Sequence, residues 1–292
     1  MTENAPQMIY ESRTGAADGL VWLPEARALL FCDRTNGTVG AISLADLGVT
    51  QSAVGGRPGL AFPTADGRLL LASERDIFSI GHDGNRRREM PIDTYSVNSA
   101  SIGTVDSKGR LWFGMEDHAG NNRRGGLFRY HDERLVPMVF DQVRPGGVAV
   151  TPDAAILYQA VASEGRIDRH DINRAGALSN GTTLIDMNKG EGEPRGLALD
   201  SEGHLWVALD GAGEIARYAP TGECVSKTRL PSGQPRDLAF GGDAMTDLFV
   251  STKEDNGGSA IYRLDMSVPG QSIAPVRLSH GASLGLVEDD DH

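Results

Sequence analysis

Two arginines and one aspartate stand at equivalent places in a phrase that this chain repeats. Asp18, Arg195 and Arg236 each open a copy in which an apolar segment, a turn and a second apolar segment follow. A guanidinium stays protonated in proteins and can hold a carboxylate or phosphate through two parallel hydrogen bonds. Arg195 and Arg236 therefore predict a site for an anion, with Asp18 across from them. The alternative is that each arginine pairs with a neighbouring acid, such as Glu193, Asp237 or Asp18, and binds nothing.

A second polar group runs from Glu116 to His118, at the start of a Gly- and Asn-rich segment. Histidine titrates near neutral pH, and an adjacent carboxylate raises its basicity. We expect His118 to reach towards Asp18, so that the two form the catalytic acid–base pair. The alternative is an ordinary polar surface loop.

Two further kinds of site have weaker support. Ser99 and Ser101 could supply a nucleophile, but the sequence contains no GxSxG motif, in which a sharp turn exposes the serine. A transition metal could be held by mixed nitrogen and oxygen ligands, although no HxxxH or HExxH spacing supports it. The candidate ligands for such a metal are Asp18, Glu116, Asp117, His118 and Asp237.

The elements that must position these residues form six repeats. The copies open at Asp18, Pro58, Ser101, Gly146, Arg195 and Arg236. Repeats of roughly 40–50 residues, built from short strands between turns, are typical of β-propellers with one four-stranded blade per repeat. The sequence therefore predicts an all-β, six-bladed propeller. Trp22, Trp112 and Trp206 recur at matching places and are expected to pack in the core.

The two ends of the chain are expected to close the ring. Residues 7–11 and 283–287 both have strand-like patterns, and each is too short to be a blade. Pairing of terminal strands in one sheet removes an exposed edge. We therefore expect a single propeller domain over residues 1–292, with a disordered acidic tail at 288–292.

Charge and composition restrict the partners. The net charge of −12 argues against nucleic acid and anionic membranes. No apolar run approaches the ~18 residues of a membrane helix, and the first eight residues lack a secretory hydrophobic core. Cys32 and Cys224 form no disulfide framework, and Cys32 is expected to be buried and inert. These features predict a cytoplasmic protein.

Four segments resemble a known family. Residues 18–22 (DGLVW), 106–115 (DSKGRLWFGM), 125–130 (GGLFRY) and 194–198 (PRGLA) are similar to segments of the senescence marker protein/gluconolactonase family, which includes regucalcin and bacterial sugar lactonases. The resemblance implies a six-bladed propeller with one divalent cation in its central channel. It also implies that the cation polarises the carbonyl of a lactone while a carboxylate helps water to attack.

The residues that carry this chemistry in the family are largely replaced. Asp18 matches a metal-binding Glu, Gly146 a metal-binding Asn, and Arg195 a metal-binding Asp that acts as the base. Ser99 and Ser101 match a substrate-contacting Arg and Asn. The family often has a substrate-contacting acid in the loop that corresponds to Glu116, so we expect Glu116, together with Asn98 and Ser101, to contact the substrate. A hard cation prefers six to eight oxygen ligands, and a guanidinium repels it. We therefore expect no cofactor and no metal of the usual kind.

These observations lead to one functional expectation and two alternatives. We expect a lactonase-derived hydrolase that acts on a small substrate bearing a carboxylate or phosphate, at a metal-free site in the channel. The first alternative is a non-catalytic propeller that binds a small anion or a protein. The second is a metal-dependent lactonase with a rebuilt metal site. Fold alone does not decide between them.

Overall fold

A computed structural model describes residues 5–92, 98–117, 124–187 and 190–278 of the chain, with only the backbone of Asn98 and Asp117. Six sheets of four antiparallel strands follow one another around a central channel, which confirms the predicted six-bladed propeller. One short 3₁₀ turn, Ala162–Glu164, is the helical element of the described residues. None of these residues forms a helix long and apolar enough to cross a membrane.

The strands follow the repeats closely. The first strand of the chain, β1 (Gln7–Ser12), belongs to the last blade. Blade one consists of β2 (Asp18–Leu23), β3 (Ala28–Asp33), β4 (Thr38–Ser43) and β5 (Val49–Ala53). Blade two consists of β6 (Leu60–Pro63), β7 (Leu69–Ala72), β8 (Asp76–Ile80) and β9 (Arg86–Pro91). Blade three consists of β10 (Asn98–Val105), β11 (Leu111–Asp117), β12 (Gly125–His131) and β13 (Arg134–Gln142). Blade four consists of β14 (Pro145–Val150), β15 (Ile156–Val161), β16 (Arg166–Asp171) and β17 (Thr182–Asp186). Blade five consists of β18 (Glu193–Leu199), β19 (Leu205–Asp210), β20 (Glu214–Tyr218) and β21 (Cys224–Arg229). Blade six has β22 (Gln234–Gly241), β23 (Asp247–Lys253) and β24 (Ser259–Asp265), with β1 outermost.

In blades three and five, a buried aspartate fixes the turn between the first two strands. Asp200 accepts hydrogen bonds from two backbone amides of the turn, from Trp206 Nε1 at 3.1 Å and from Arg217 Nε at 2.8 Å. Asp106 holds Trp112 Nε1 in the same way, at 2.8 Å. The repeated sequence therefore stabilises the blade in these copies. Trp22, Trp112 and Trp206 are all buried, as predicted.

Five of the six strands that line the channel, all except β6, carry a β-bulge close to the position that opens the repeat. A bulge bends its strand and redirects the neighbouring side chains, and bulges are common beside active sites. The register shifts lie between Asp18 and Val21, Ala100 and Gly103, Pro145 and Val148, Pro194 and Leu197, and Pro235 and Asp237.

The N-terminal strand closes the ring, as the sequence predicts. β1 pairs antiparallel with β24 (Ser259–Asp265) and so completes the four-stranded sheet of blade six. Residues 283–287, which we expected to be its partner, lie outside the described residues, as does the tail at 288–292.

The segment after β24 closes one end of the channel. Residues 266–278 cross the ends of the channel-lining strands, where Gln271 N donates to Leu199 O at 2.9 Å and Val276 N donates to Pro63 O at 2.9 Å. Between this segment and the strands lies a cavity of about 300 Å³. The residues that open the repeats lie at the other end, which we call the channel mouth.

Candidate functional site

The channel mouth brings together four of the predicted site residues. Asp18, Arg195 and Arg236 stand near the starts of the channel-lining strands β2, β18 and β22, and Glu116 stands near the end of β11. The charges of Asp18 and Glu116 act on the pKa of both Arg195 and Arg236. The ring therefore gathers residues that lie more than 200 positions apart in the chain.

Arg195 is a buried cation without a counter-ion in direct contact. It is 4% exposed, and its Nε is buried without a hydrogen-bond partner. No hydrogen bond or ion pair joins its guanidinium to another residue in the part of the chain that the structure describes. Burial, and then the charge of Arg236, lower its pKa, against the opposing pull of Glu116 and Asp18. Leaving a buried charge unpaired is costly, so this residue is the strongest indication of a ligand.

Arg236 differs from Arg195 because it has a partner. Its Nη1 lies 2.6 Å from Asp210 Oδ2, at the end of β19. Burial lowers the pKa of Arg236, but the carboxylates of Asp18 and Asp210 outweigh that effect and raise it. The partner is Asp210, which the sequence analysis did not consider. Glu193, one of the acids considered for the arginines, pairs with Arg144 at 2.9 Å.

A third arginine at the channel mouth, Arg34, was not predicted from the sequence. Arg34 Nη1 lies 3.3 Å from Glu116 Oε1 and 3.4 Å from Ser99 Oγ, and its Nη2 donates to Ala100 O at 2.9 Å. Its Nε is buried without a partner. The sequence signal for Arg34 is its place directly after a second strand, β3, whereas the two predicted arginines stand on first strands.

Asp237 ties blade six to the residues beside Asp18. Its Oδ2 accepts a hydrogen bond from Leu20 N at 2.8 Å, and its Oδ1 accepts one from Leu238 N at 2.8 Å. Burial raises its pKa to about 7, with opposition from the backbone bonds of Leu20, Leu238 and Gly19. Because Gly19 and Leu20 belong to the bulge of β2, the Asp237 carboxyl group fixes the backbone that directs Asp18.

The other predicted site residues have different outcomes. Ser101 is 3% exposed, and its hydroxyl lies 3.5 Å from Pro145 O of the next blade, a contact between blades. Asn98 begins β10, and its backbone pairs with Asp117 of β11. His118 lies outside the described residues, so the acid–base pair of Asp18 and His118 stays a prediction. Cys32 is buried, and burial raises the pKa of its thiol, in line with an inert residue.

Comparison with known proteins identifies the family. The family model described as SMP-30/Gluconolactonase/LRE-like region matches residues 16–254. The chain belongs to this family. It is 26% identical over 241 residues to 6-deoxy-6-sulfogluconolactonase from Pseudomonas putida, a match that covers 81% of this chain and 82% of that protein. It is 25% identical over 285 residues to a pentonolactonase from Haloferax volcanii, with 90% and 95% covered.

A solved structure shares the fold of this SMP-30/gluconolactonase family member. The calcium-binding protein regucalcin from Agrobacterium tumefaciens superposes with a TM-score of 0.87 at 20% identity, covering 93% of this chain and 97% of that one. At this identity the likeness concerns the propeller alone.

The described residues at the channel mouth do not fit the divalent cation that the family resemblance implies. At Gly146, a Cβ would lie 2.8 Å from Ala160 Cβ and 3.0 Å from Pro194 O, so no ligating side chain fits there without movement. The next matching position holds the buried cation Arg195. Among the described residues, no group of three or more His, Cys, Asp or Glu side chains could hold a metal ion.

Proposed function

We propose that this protein is a hydrolase that opens a small sugar lactone carrying a negatively charged group, at the channel mouth. The observation that carries the proposal is Arg195, a buried guanidinium without a partner among the described residues. Membership of the SMP-30/gluconolactonase family supports lactone chemistry, since two of the relatives above are lactonases by name.

The anionic character of the substrate is argued from the arginines. Arg195 and Arg236 act on each other electrostatically at the same end of the channel, and only Arg236 has an ion-pair partner among the described residues. A charge-assisted hydrogen bond from such a site contributes about 1.5–3 kcal/mol. The name of the Pseudomonas putida relative specifies a sugar lactone with a sulfo group, which is a substrate of this class.

One of the carboxylates at the channel mouth supplies the base in this proposal. Water attacks the carbonyl carbon of the lactone, and Asp18 takes a proton from that water. The ring C–O bond then breaks, and His118, the acid that the sequence predicts, gives a proton to the ring oxygen, so that a hydroxy acid leaves. We assign the base to Asp18 because Glu116 is bound by Arg34, whereas no described residue makes a hydrogen bond to the Asp18 carboxylate.

The proposed reaction uses no divalent cation. The basis is the donor set: a glycine without room for a side chain and a buried guanidinium occupy two of the family's ligand positions. A hard cation needs oxygen ligands at such positions, and neither residue provides a side-chain oxygen.

The test is a panel of sugar lactones, neutral or bearing a carboxylate, phosphate or sulfonate, assayed by titration of the acid released. We expect faster turnover of anionic members, and Arg195→Ala should weaken binding of the open-chain anionic product about 10- to 150-fold. If no lactone is hydrolysed, yet these anions raise the melting temperature, the protein is a non-catalytic anion-binding propeller. The replacement of the family's base by Arg195 favours this second candidate.

A further inference from the structure

We infer that Arg195 is the electrophile of the reaction: its guanidinium donates hydrogen bonds to the carbonyl oxygen of the lactone and stabilises the oxyanion that forms there. This inference rests on the proposed function and deepens it. The proposed function requires only that Arg195 attract an anion. Here Arg195 binds a particular negative charge, the one that develops on the carbonyl oxygen of the lactone during the reaction.

The first support is the set of unused donors. A guanidinium has five N–H donors, and none of those of Arg195 is used by another described residue. An oxyanion requires several donors aimed at one point in a site without water. Arg34 and Arg236 are less suitable, because Arg34 donates to Ala100 O and Glu116 while Arg236 donates to Asp210.

The second support is the rigidity of the place where Arg195 stands. It lies within the bulge of β18, on a channel-lining strand. Its backbone carbonyl lies within 3.1 Å of the position that a Cβ on Gly146 would occupy, so the two strands are in close contact. Donors that need not reorganise during the reaction are the ones that lower a barrier most.

The third support is the balance of charge around Arg195. Burial and the charge of Arg236 lower the pKa of Arg195, and the carboxylates of Glu116, Asp18 and Asp210 oppose that effect. When Asp18 takes the proton of the attacking water, one of these carboxylates becomes neutral. The negative charge reappears on the substrate oxygen, and Arg195 exchanges one anionic neighbour for a closer one.

The step balances without a metal or an oxidant. The water oxygen bonds to the carbonyl carbon while its proton goes to Asp18, and the π electrons of the carbonyl move to the oxygen held by Arg195. On collapse, those electrons re-form the carbonyl, the ring C–O bond breaks, and the ring oxygen takes a proton from the acid of the proposed function, while Asp18 returns its proton to water. Arg195 keeps all of its protons throughout. The guanidinium thus polarises the carbonyl, which is the role that the family resemblance gives to a divalent metal cation.

The test separates this role from simple attraction of a charged substituent. Steady-state kinetics would compare gluconolactone, which is neutral, with its 6-sulfo analogue, for the wild type, Arg195→Met, Arg195→Lys and the control Arg88→Met on an outer strand. We expect Arg195→Met to lower kcat on both lactones by about 10²- to 10³-fold, with a KM for gluconolactone within about threefold of the wild type. Arg195→Lys should retain part of kcat, and Arg88→Met should match the wild type.

A binding measurement makes the inference testable without turnover. A cyclic phosphonate, which carries a tetrahedral anionic centre in place of the carbonyl, should bind the wild type at least tenfold more tightly than Arg195→Met in calorimetry. The inference is overturned if Arg195→Met keeps kcat on gluconolactone and only its KM for the sulfo analogue rises, or if the phosphonate binds both proteins equally. If the wild type hydrolyses neither lactone, the proposed function itself fails.

Discussion

At the scale of single residues, the channel mouth contains one cation that its surroundings do not neutralise by direct contact. Arg236 has Asp210 at 2.6 Å and Arg34 has Glu116 at 3.3 Å, whereas Arg195 has no such partner among the described residues. A buried charge of this kind decreases the stability of the free protein and is retained where a ligand uses it. Function and stability should therefore respond in opposite directions when it is removed.

We predict that Arg195→Met unfolds in urea with a free energy equal to or greater than that of the wild type. Methionine fills a similar volume without a charge to desolvate, and no hydrogen bond to another described residue is lost. The measurement is equilibrium unfolding without ligand, with Arg88→Met as control. A loss of more than about 2 kcal/mol would show that Arg195 supports the fold, a size typical of broken buried networks.

The arginine positions could be predicted from the sequence, but their partners could not. Alignment of the repeats brought Asp18, Arg195 and Arg236 to one end of the channel, as observed. Asp210 ends a second strand and Arg34 follows one, so the pairing of each depends on how adjacent blades approach one another. A repeat pattern contains no information on that geometry. The closed space at Gly146 likewise depends on the backbone of the neighbouring blade.

At the scale of strands, the bulges position the site. In blade five the apolar part of the repeat begins at Leu197, but the observed strand begins at Glu193. The bulge between Pro194 and Leu197 interrupts the alternation of side chains, so the part of the strand that carries Arg195 did not have a strand pattern.

The contact between blades one and six should make stability depend on pH through Asp237. Its pKa is raised from 3.8 to about 7, so between these values the folded protein keeps a proton that the unfolded chain releases. The contribution is complete at low pH and is lost as the pH rises through 7. We predict that the unfolding free energy of the wild type, relative to Asp237→Asn, falls by roughly 2–3 kcal/mol from pH 5 to pH 8.

The measurement for Asp237 is urea unfolding of both proteins at pH 5, 6, 7 and 8. Asp255→Asn, an exposed substitution on a surface turn, is the matched control and should follow the wild type at every pH. A constant difference between wild type and Asp237→Asn would mean that this carboxyl group does not titrate in that range in the folded protein.

At the scale of the whole molecule, the ring is held by one strand from each end of the described chain. β1 covers the edge of β24, and Tyr10 packs on Phe31 of blade one with ring centroids 4.8 Å apart. The fold class was predictable because six similar phrases can bury their faces only by stacking in a ring. The closing segment at 266–278 was not predicted, since it lies outside the repeats and has no strand pattern.

We predict that deletion of residues 1–12 lowers the melting temperature and causes association that grows with protein concentration. The deletion uncovers the hydrogen-bonding edge of β24, and such an edge recruits another chain. Calorimetry and light scattering after gel filtration are the measurements, and deletion of residues 1–5 alone is the control. A monomer with unchanged melting would mean that β1 contributes nothing to closure.

The central claim, that a guanidinium takes the place of a divalent cation in this propeller, is tested most directly by chelation. The rate of hydrolysis of the preferred lactone would be measured before and after exhaustive dialysis against EDTA, and again after addition of calcium, zinc or manganese. We predict the same rate in all conditions, because Arg195 cannot be removed by a chelator. A rate that disappears on dialysis and returns with one of these metals would contradict it.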